Sequence, residues 1–200
     1  MELRPDYPIR TERLSLRSFA SDDIDAVLDM ESRENVVRYL LWDVMDRAAA
    51  ERFVTTRAAR TQIDAENRSI YVAVTVPPDD RAVGEFMLMV LNEEYLQGEI
   101  AWTLHPEVQG RGYATEGARE MLRFAFEELG LHRVIAITDA RNVASMRVME
   151  RIGMRKEAHH RDSHFLKGAW VSSVVYAILD EEWRRHARTQ RGRPESRAGG

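Results

Sequence analysis

The sequence predicts a single α/β (α+β) domain built around a mixed β-sheet. Two observations support this fold class. Helical patterns precede a run of three β-rich stretches, and strand–helix–strand units follow them. No repeat or linker interrupts residues 12–183, and a chain of 200 residues is long enough for one well-buried core but marginal for two domains.

Alternating side chains and β-rich runs predict about seven strands. The alternating segment is 13–17, and the β-rich runs lie at 69–76, 82–91, 97–104, 133–138, 154–165 and 171–179. Apolar residues at spacings of three and four predict the helices. The first predicted helix begins at Ser21, and two others cover 36–41 and 46–64. A strong helix covers 112–129, and Asn142 caps a further helix that ends at Gly153.

Composition excludes several classes of function. The net charge of −4, from 29 basic and 33 acidic residues, argues against nucleic-acid binding. The chain has no cysteine, which excludes disulfides, thiolate metal sites and a cysteine nucleophile. No apolar run approaches the roughly 20 residues that cross a membrane. Since residues 1–14 lack the apolar core of a signal peptide, we expect a cytoplasmic protein.

The last residues differ in composition from the rest. From Arg184 the chain reads RRHARTQRGRPESRAGG, which is basic, polar and glycine-ended. This composition predicts a disordered tail at 184–200 that follows the domain at 1–183. A role of the tail in binding RNA or a partner is the alternative interpretation.

A glycine-rich loop lies between a predicted strand and the strong helix. Gly110-Arg111-Gly112 does not fit the phosphate loop of nucleotide hydrolases, because no Gly-Lys-[Ser/Thr] follows. It does not fit the dinucleotide fingerprint, because Gly117 is misplaced. Free amides at a helix N-terminus and close backbone approach at glycine suit another anion, such as a pyrophosphate. An ordinary strand-to-helix turn explains the loop equally well.

A second polar pair lies one strand further along the chain. Asn142 and Ser145 are three residues apart at the start of the next predicted helix, so they are neighbours on its first turn. A capping motif explains both residues without any function. The functional interpretation is that their side chains bind something lying between the two strand–helix units.

Four segments together resemble the GNAT superfamily of acetyl-CoA-dependent N-acetyltransferases, and in particular its RimJ/RimL-like branch. They are VQGRGYATE at 108–116, NVASMRVMERIGM at 142–154, TERLSLR at 11–17, and the close formed by GAW at 168–170, VYAIL at 175–179 and EW at 182–183. The resemblance covers residues 11–183. It implies a mostly antiparallel sheet that splays in the middle, and an acetyl-CoA co-substrate without a metal.

The resemblance also implies a role for each matching position. The pyrophosphate loop would comprise Gln109, Gly110, Arg111, Gly112, Tyr113, Ala114 and Thr115. Main-chain groups near Trp102, Thr103 and Leu104 would pair with the pantetheine arm, and Asn142 would bind it too. Many members carry a tyrosine as general acid where this chain has Met149. Ser145 is the remaining hydroxyl, and it would steady the CoA thiolate by a hydrogen bond.

The implied reaction is direct attack of an amine on the thioester, so a base must accept the amine's proton. Glu99 on the central strand is the first candidate, although a solvent-facing position explains it as well. Glu85 is the second candidate, and Asp162 and His164 are weaker ones. His159 and His160 with His164 do not form a convincing metal site, since no acidic or cysteine partner accompanies them.

The acceptor amine is a small molecule or a protein N-terminus, and its identity is not predicted. Tyr39, Trp42 and Trp170 are candidate walls of its pocket, although isolated aromatic residues are more often part of a core. No nucleic-acid or membrane partner is expected, and the resemblance allows a homodimer. The alternative to an active enzyme is a CoA-binding sensor or scaffold that has lost catalysis.

Overall fold

The structure is a computed structural model that describes residues 1–191. Its centre is a mixed sheet of eight strands in the order β1-β2-β3-β4-β5-β6-β8-β7. All neighbours are antiparallel except β5 and β6, which are parallel. The strands are β1 (Ile9–Arg10), β2 (Ser15–Arg17), β3 (Ser69–Thr75), β4 (Gly84–Asn92), β5 (Gln97–Leu104), β6 (Arg133–Asp139), β7 (Arg155–Leu166) and β8 (Ala169–Leu179). The predicted fold class is confirmed, with one strand more than expected, the two-residue β1.

Six α-helices flank the sheet within the described residues. They are α1 (Ile24–Glu31), α2 (Glu34–Val37), α3 (Arg47–Ala58), α4 (Tyr113–Arg123), α5 (Val143–Arg151) and α6 (Asp180–Arg191). Short 3-10 turns lie at Ser21–Asp23 and Pro106–Val108, and a π-helical turn, Phe124–Glu128, continues α4. No helix within residues 1–191 combines the length and the apolar character needed to cross a bilayer.

The two parallel strands separate soon after they meet. Only Gln97, Gly98 and Glu99 of β5 pair with β6, although β5 continues to Leu104 and β6 continues to Asp139. The splayed sheet that the resemblance implied is therefore present. Because the strands are parallel, the helices that follow them begin side by side at the open end of the gap.

Each face of the sheet has its own packing partner. Helix α4 packs on one face so closely that a Cβ on Gly117 would lie 2.2 Å from the Phe86 ring. Helices α1 and α3 cover the other face, where Ala73 packs with Val27 and Phe53. Adjacent strand residues point to opposite faces, so Glu85 belongs to the face opposite that of Phe86.

Three helices end elsewhere than the sequence predicts. The helix predicted at 46–64 ends at Ala58, and the one predicted at 36–41 is α2 (Glu34–Val37). The apolar stripe predicted to be helical at 112–129 is regular only as far as Arg123, after which the π-helical turn takes over. Periodicity predicts which residues are buried, but it does not distinguish an α-helical turn from a π-helical one.

The tail predicted from Arg184 overlaps α6, which includes residues 184–191, and residues 192–200 lie outside the described residues. Acidic residues occupy the first turn of α6 and basic residues follow them. Arg184 pairs with Asp180 at 3.1 Å and Arg185 pairs with Glu181 at 3.2 Å, each with its partner four residues earlier. This arrangement suits the helix dipole and stabilises a helix that composition alone does not predict.

Candidate functional site

The glycine loop joins β5 to α4, and two side chains hold the segment that leads into it from β5. The side-chain amide of Gln109 donates to the Leu104 carbonyl over 2.8 Å, which ties the loop to the end of the strand. His105 Nδ1 accepts from the Glu107 amide at 3.3 Å and caps the 3-10 turn. Gln109, predicted to bind cofactor, thus uses its side chain to hold the loop itself.

The two glycines adopt conformations that other residues avoid. Gly110 has a φ of 76° and Gly112 has a φ of 84°, both in the left-handed region. Among the described residues, no protein acceptor takes a hydrogen bond from the amides of Gly110, Arg111 or Gly112. A Cβ on Gly110 would meet no atom within 4 Å. Such a loop, with unused donors at a helix N-terminus, fits a diphosphate.

A pocket of about 480 Å³ opens where β5 and β6 separate. Its wall combines the end of β5, the glycine loop, the first turn of α4, one side of α5, and α2 with the residues just after it. The predicted residues in this wall are Trp102, Thr103, Leu104, Gln109, Gly110, Gly112, Tyr113, Ala114, Thr115, Asn142, Ser145 and Tyr39. Arg111 is exposed and outside the wall. The structure therefore brings together three segments that are distant in the sequence.

The start of α5 is consistent with both interpretations of Asn142 and Ser145, as a capping motif and as part of a binding site. Asn142 Oδ1 accepts from the Ser145 amide at 3.1 Å, so the capping motif is present. Both residues also line the pocket. Met149, at the position of the family's tyrosine, is 2% exposed and belongs to the core. It offers no proton donor, and Ser145 is the hydroxyl in the pocket wall on this helix.

Glu99 lies at the last paired position of β5, opposite Ile135 of β6. Its side chain is half-buried, and burial raises the pKa of its carboxyl above the ordinary value. It does not line the 480 Å³ pocket. By strand alternation it shares a face with Thr103, which does line the pocket.

Glu85, the second candidate base, is already paired. Arg57 donates to it through Nε at 2.6 Å and through Nη2 at 3.2 Å. The Arg57 guanidinium also lies 3.1 Å from the ring centroid of Phe53 and 4.7 Å from that of Tyr71. This buried pair joins α3 to the sheet, so the Glu85 carboxylate is already committed to a structural contact.

The candidate aromatic walls have different environments. Tyr39 lines the pocket, but Trp42 packs against Phe53 with ring centroids 5.9 Å apart and does not line it. Trp170 is 64% exposed at the β7–β8 turn and makes an edge contact with Phe165. Of the three, the structure brings only Tyr39 to the pocket.

The histidine-rich part of β7 lies outside the pocket as well. His164 is exposed, and its Nδ1 lies 2.9 Å from the Ser163 hydroxyl. Asp162 is exposed on the same strand, and its main-chain amide donates to the Ser172 hydroxyl at 3.0 Å. No group of three or more potential ligands among the described residues is arranged to hold a metal ion.

Sequence reasoning missed a buried carboxylate, Glu31, at the end of α1. It is fully buried; Trp42 Nε1 donates to its Oε2 at 3.0 Å, and its Oε1 has no hydrogen-bond partner among residues 1–191. Burial raises the pKa of Glu31 from its ordinary value of 4.5 to about 7; Glu85 raises it further, and the Trp42 hydrogen bond, Arg57 and Lys167 oppose the rise. A glutamate in the apolar stripe of α1 was the available signal.

The loop, the separated strands and the shared pocket define a CoA-dependent acyltransferase. Comparison with known proteins supports this class and identifies the family. The chain belongs to the acetyltransferase (GNAT) domain family, whose model matches residues 13–155. It is an acetyl-CoA-dependent acetyltransferase.

Individual relatives agree with this assignment. The chain is 33% identical over 175 residues to the uncharacterized N-acetyltransferase YnaD of Bacillus subtilis, which covers 88% of this chain and 98% of that protein. It matches a solved GNAT acetyltransferase of Bacillus anthracis with a TM-score of 0.76 and 31% identity, over 86% of this chain and 98% of that one. It shares the fold, at 19% identity and a TM-score of 0.73, with a spermidine N-acetyltransferase of Vibrio cholerae solved with CoA and spermine, over 87% and 99% of the chains.

The buried Glu31 makes stability depend on pH. Its pKa is higher in the folded state, so the folded state binds the proton more tightly, and the associated stability is lost as pH rises from 4.5 through about 7. We expect Glu31→Gln to be as stable as the parent protein at pH 5 and more stable at pH 8, by about 3 kcal/mol at most. Urea unfolding at the two pH values measures this difference.

The matched control is Glu34→Gln, which removes an exposed carboxylate from the next helix. It should leave the free energy of unfolding nearly unchanged at both pH values. An equal effect of Glu31→Gln at pH 5 and pH 8 would contradict the assignment of a proton to this buried group.

Proposed function

We propose that the protein transfers the acetyl group of acetyl-CoA to a primary amine by direct attack of the amine on the thioester. The amides of Gly110, Gly112 and the first turn of α4 would hold the CoA diphosphate. The edge of β5 at Trp102, Thr103 and Leu104 would pair with the pantetheine arm in the gap beside β6. The observation that carries the proposal is the single pocket lined by the glycine loop, the end of β5 and the start of α5.

Acetyl-CoA supplies an activated acyl group. The protein has to position the amine, accept its proton and stabilise the departing thiolate. Asn142 and Ser145 lie in the pocket wall, where the Ser145 hydroxyl would donate to the departing thiolate. Glu99 would accept the proton of the amine, directly or through water. Its raised pKa makes it a stronger base than a solvated carboxylate, which suits this role.

The acceptor is an amine of a small molecule or of a protein N-terminus. The segment TERLSLR at 11–17 supports a place in the RimJ/RimL-like branch. The half-buried strand face around Glu99 includes Met87, Met89 and Ala101, so an amine carried on an apolar stem would be desolvated beside a carboxylate. A cytoplasmic location is part of the same proposal, because acetyl-CoA is available there.

The assay that tests the proposal measures thiol release from acetyl-CoA with peptides, polyamines, amino acids and aminoglycosides. Acceptor-dependent release supports an active N-acetyltransferase. CoA binding by calorimetry without release over the whole panel would support the alternative, a CoA-binding sensor or scaffold. Failure to bind either CoA or acetyl-CoA would overturn both.

The left-handed conformation of Gly112 makes it sensitive to any side chain. We expect Gly112→Leu to weaken CoA binding by about tenfold or more, because the side chain strains the loop and fills the approach to its amides. Calorimetric titration with CoA measures the effect. Gly130→Leu is the control, since Gly130 also has a positive φ of 65° with open space around it but lies beyond the end of α4.

The proposed base predicts a pH dependence. Burial raises the pKa of Glu99, so its basic form accumulates, and kcat/KM rises, as pH increases through that raised pKa. Glu99→Gln should lower kcat by about a hundredfold, remove this rise and leave CoA affinity unchanged.

The control for this change is Glu94→Gln, which alters an exposed carboxylate just before β5 and should keep the parent profile. Parallel losses of turnover and CoA affinity in Glu99→Gln would indicate a structural role instead.

A further inference from the structure

The N-terminal segment reaches across the fold to the start of α4. Glu116, on the first turn of α4, accepts from the Thr11 hydroxyl at 2.6 Å and from the Arg13 amide at 2.7 Å. The Arg13 side chain donates to the same carboxylate through Nε at 2.8 Å, and its Nη2 lies 2.7 Å away from it. Through Nη1 it also donates to the Arg111 carbonyl at 2.9 Å. Every nitrogen of the guanidinium thus has a protein partner.

The bond to the Arg111 carbonyl fixes a peptide plane. The Arg111 C=O and the Gly112 N–H belong to one planar trans peptide unit, so they point in opposite directions. A carbonyl held by Arg13 therefore directs the Gly112 amide away from Arg13. Gly112 on the C-terminal side leaves this peptide easier to rotate if nothing holds it, because glycine adopts positive and negative φ with similar ease.

The ion pair also offsets the negative charge of Glu116 at the N-terminus of α4. A carboxylate on the first turn of α4 would repel an anion bound at that helix N-terminus. Arg13 neutralises Glu116, and its guanidinium lies 4.9 Å from the ring centroid of Tyr113, the first residue of α4. The pair thereby joins the N-terminal segment to the glycine loop without leaving a net negative charge beside it.

We propose that Arg13 and Glu116 are positioning residues that hold the 111–112 peptide with its amide directed toward the diphosphate of the acyl donor. This inference rests on the proposed function of the loop. It gives Thr11 and Arg13 a role through these contacts, and it distinguishes Arg13 from residues that touch the donor.

The first test compares two acyl donors. Arg13→Met keeps most of the side-chain stem but removes the donors to Arg111 and Glu116. It should lower kcat/KM for acetyl-CoA by about tenfold, in the range of a lost hydrogen bond to a charged group, while kcat changes little. S-acetylpantetheine has no diphosphate, so its kcat/KM should be the same for the variant and the parent protein. A loss of equal size with both donors would overturn the proposal.

The second test uses the sign of the effect at Glu116. If Arg13 acts by positioning, Glu116→Ala weakens acetyl-CoA binding, and the double variant with Arg13→Met binds no more weakly than the weaker single variant. If Arg13 were instead a direct phosphate ligand restrained by Glu116, removing the carboxylate would free it and strengthen binding. Stronger binding by Glu116→Ala would therefore reject the positioning role.

Two further variants complete the experiment. Arg13→Lys keeps the charge but not the forked donors, so it should recover less than half of the lost kcat/KM. Arg47→Met is the matched control, because it removes an exposed arginine that pairs with Asp25 and Glu51 on the other face of the sheet. Arg47→Met should leave kcat/KM for both acyl donors unchanged. A loss of kcat/KM in this control comparable to that of Arg13→Met would overturn the assignment to Arg13.

The parent protein separates failure of this inference from failure of the proposed function. If the parent protein binds no CoA, the function assigned to the loop is wrong. If the parent protein binds CoA and the Arg13 and Glu116 variants bind it equally well, only the positioning role is wrong. Thermal unfolding of each variant confirms that the compared proteins are folded.

Discussion

The parting of β5 and β6 after three paired residues is the constraint from which the site follows. A continuous parallel pair would close the space between the strands with main-chain hydrogen bonds. Because pairing stops at Glu99 and Ile135, the β5 edge from Ala101 to Thr103 has no β6 partner at the gap. The parallel direction also places the starts of α4 and α5 at the same end of the two strands. The separation of β5 and β6 thus provides both a gap between the strands and two helix N-termini at its open end.

The position of the glycine loop depends on packing remote from any chemistry. Helix α4 is held on the sheet by Ala118, Met121 and Leu122, which are fully buried, and by the absence of a side chain at Gly117. Burying such side chains contributes roughly 1.5–3 kcal/mol for each large one. The loop inherits its position from this helix, and the Gln109 side chain fixes the other end to Leu104. The packing of α4 and the Gln109 contact therefore fix where the loop begins and ends.

Local signals predicted much of this architecture. Strand β5 has the bounds 97–104 in both the sequence pattern and the structure, and the start of α4 after Gly112 was evident from glycine and apolar spacing. Contacts between distant segments were not predictable in this way. Arg13 and Glu116 are 103 positions apart, and the pair of Arg57 with Glu85 joins α3 to β4, with the whole of β3 between them in the chain. No periodicity encodes such a pairing, so their roles emerged only with the fold.

The carboxylates show why residue type alone does not identify a base. Glu31, Glu85, Glu99 and Glu116 all lie near the sheet or the loop, yet each has a different environment. Glu85 and Glu116 are paired with arginines, which commits both carboxylates to structural contacts. Glu31 is buried with an indole N–H as its hydrogen-bond donor. Glu99 is half-buried, and burial is the sole cause of its raised pKa. A base must be able to gain and lose a proton without breaking the packing around it, and among these four only Glu99 is both partly exposed and uncommitted to an ion pair in the described structure.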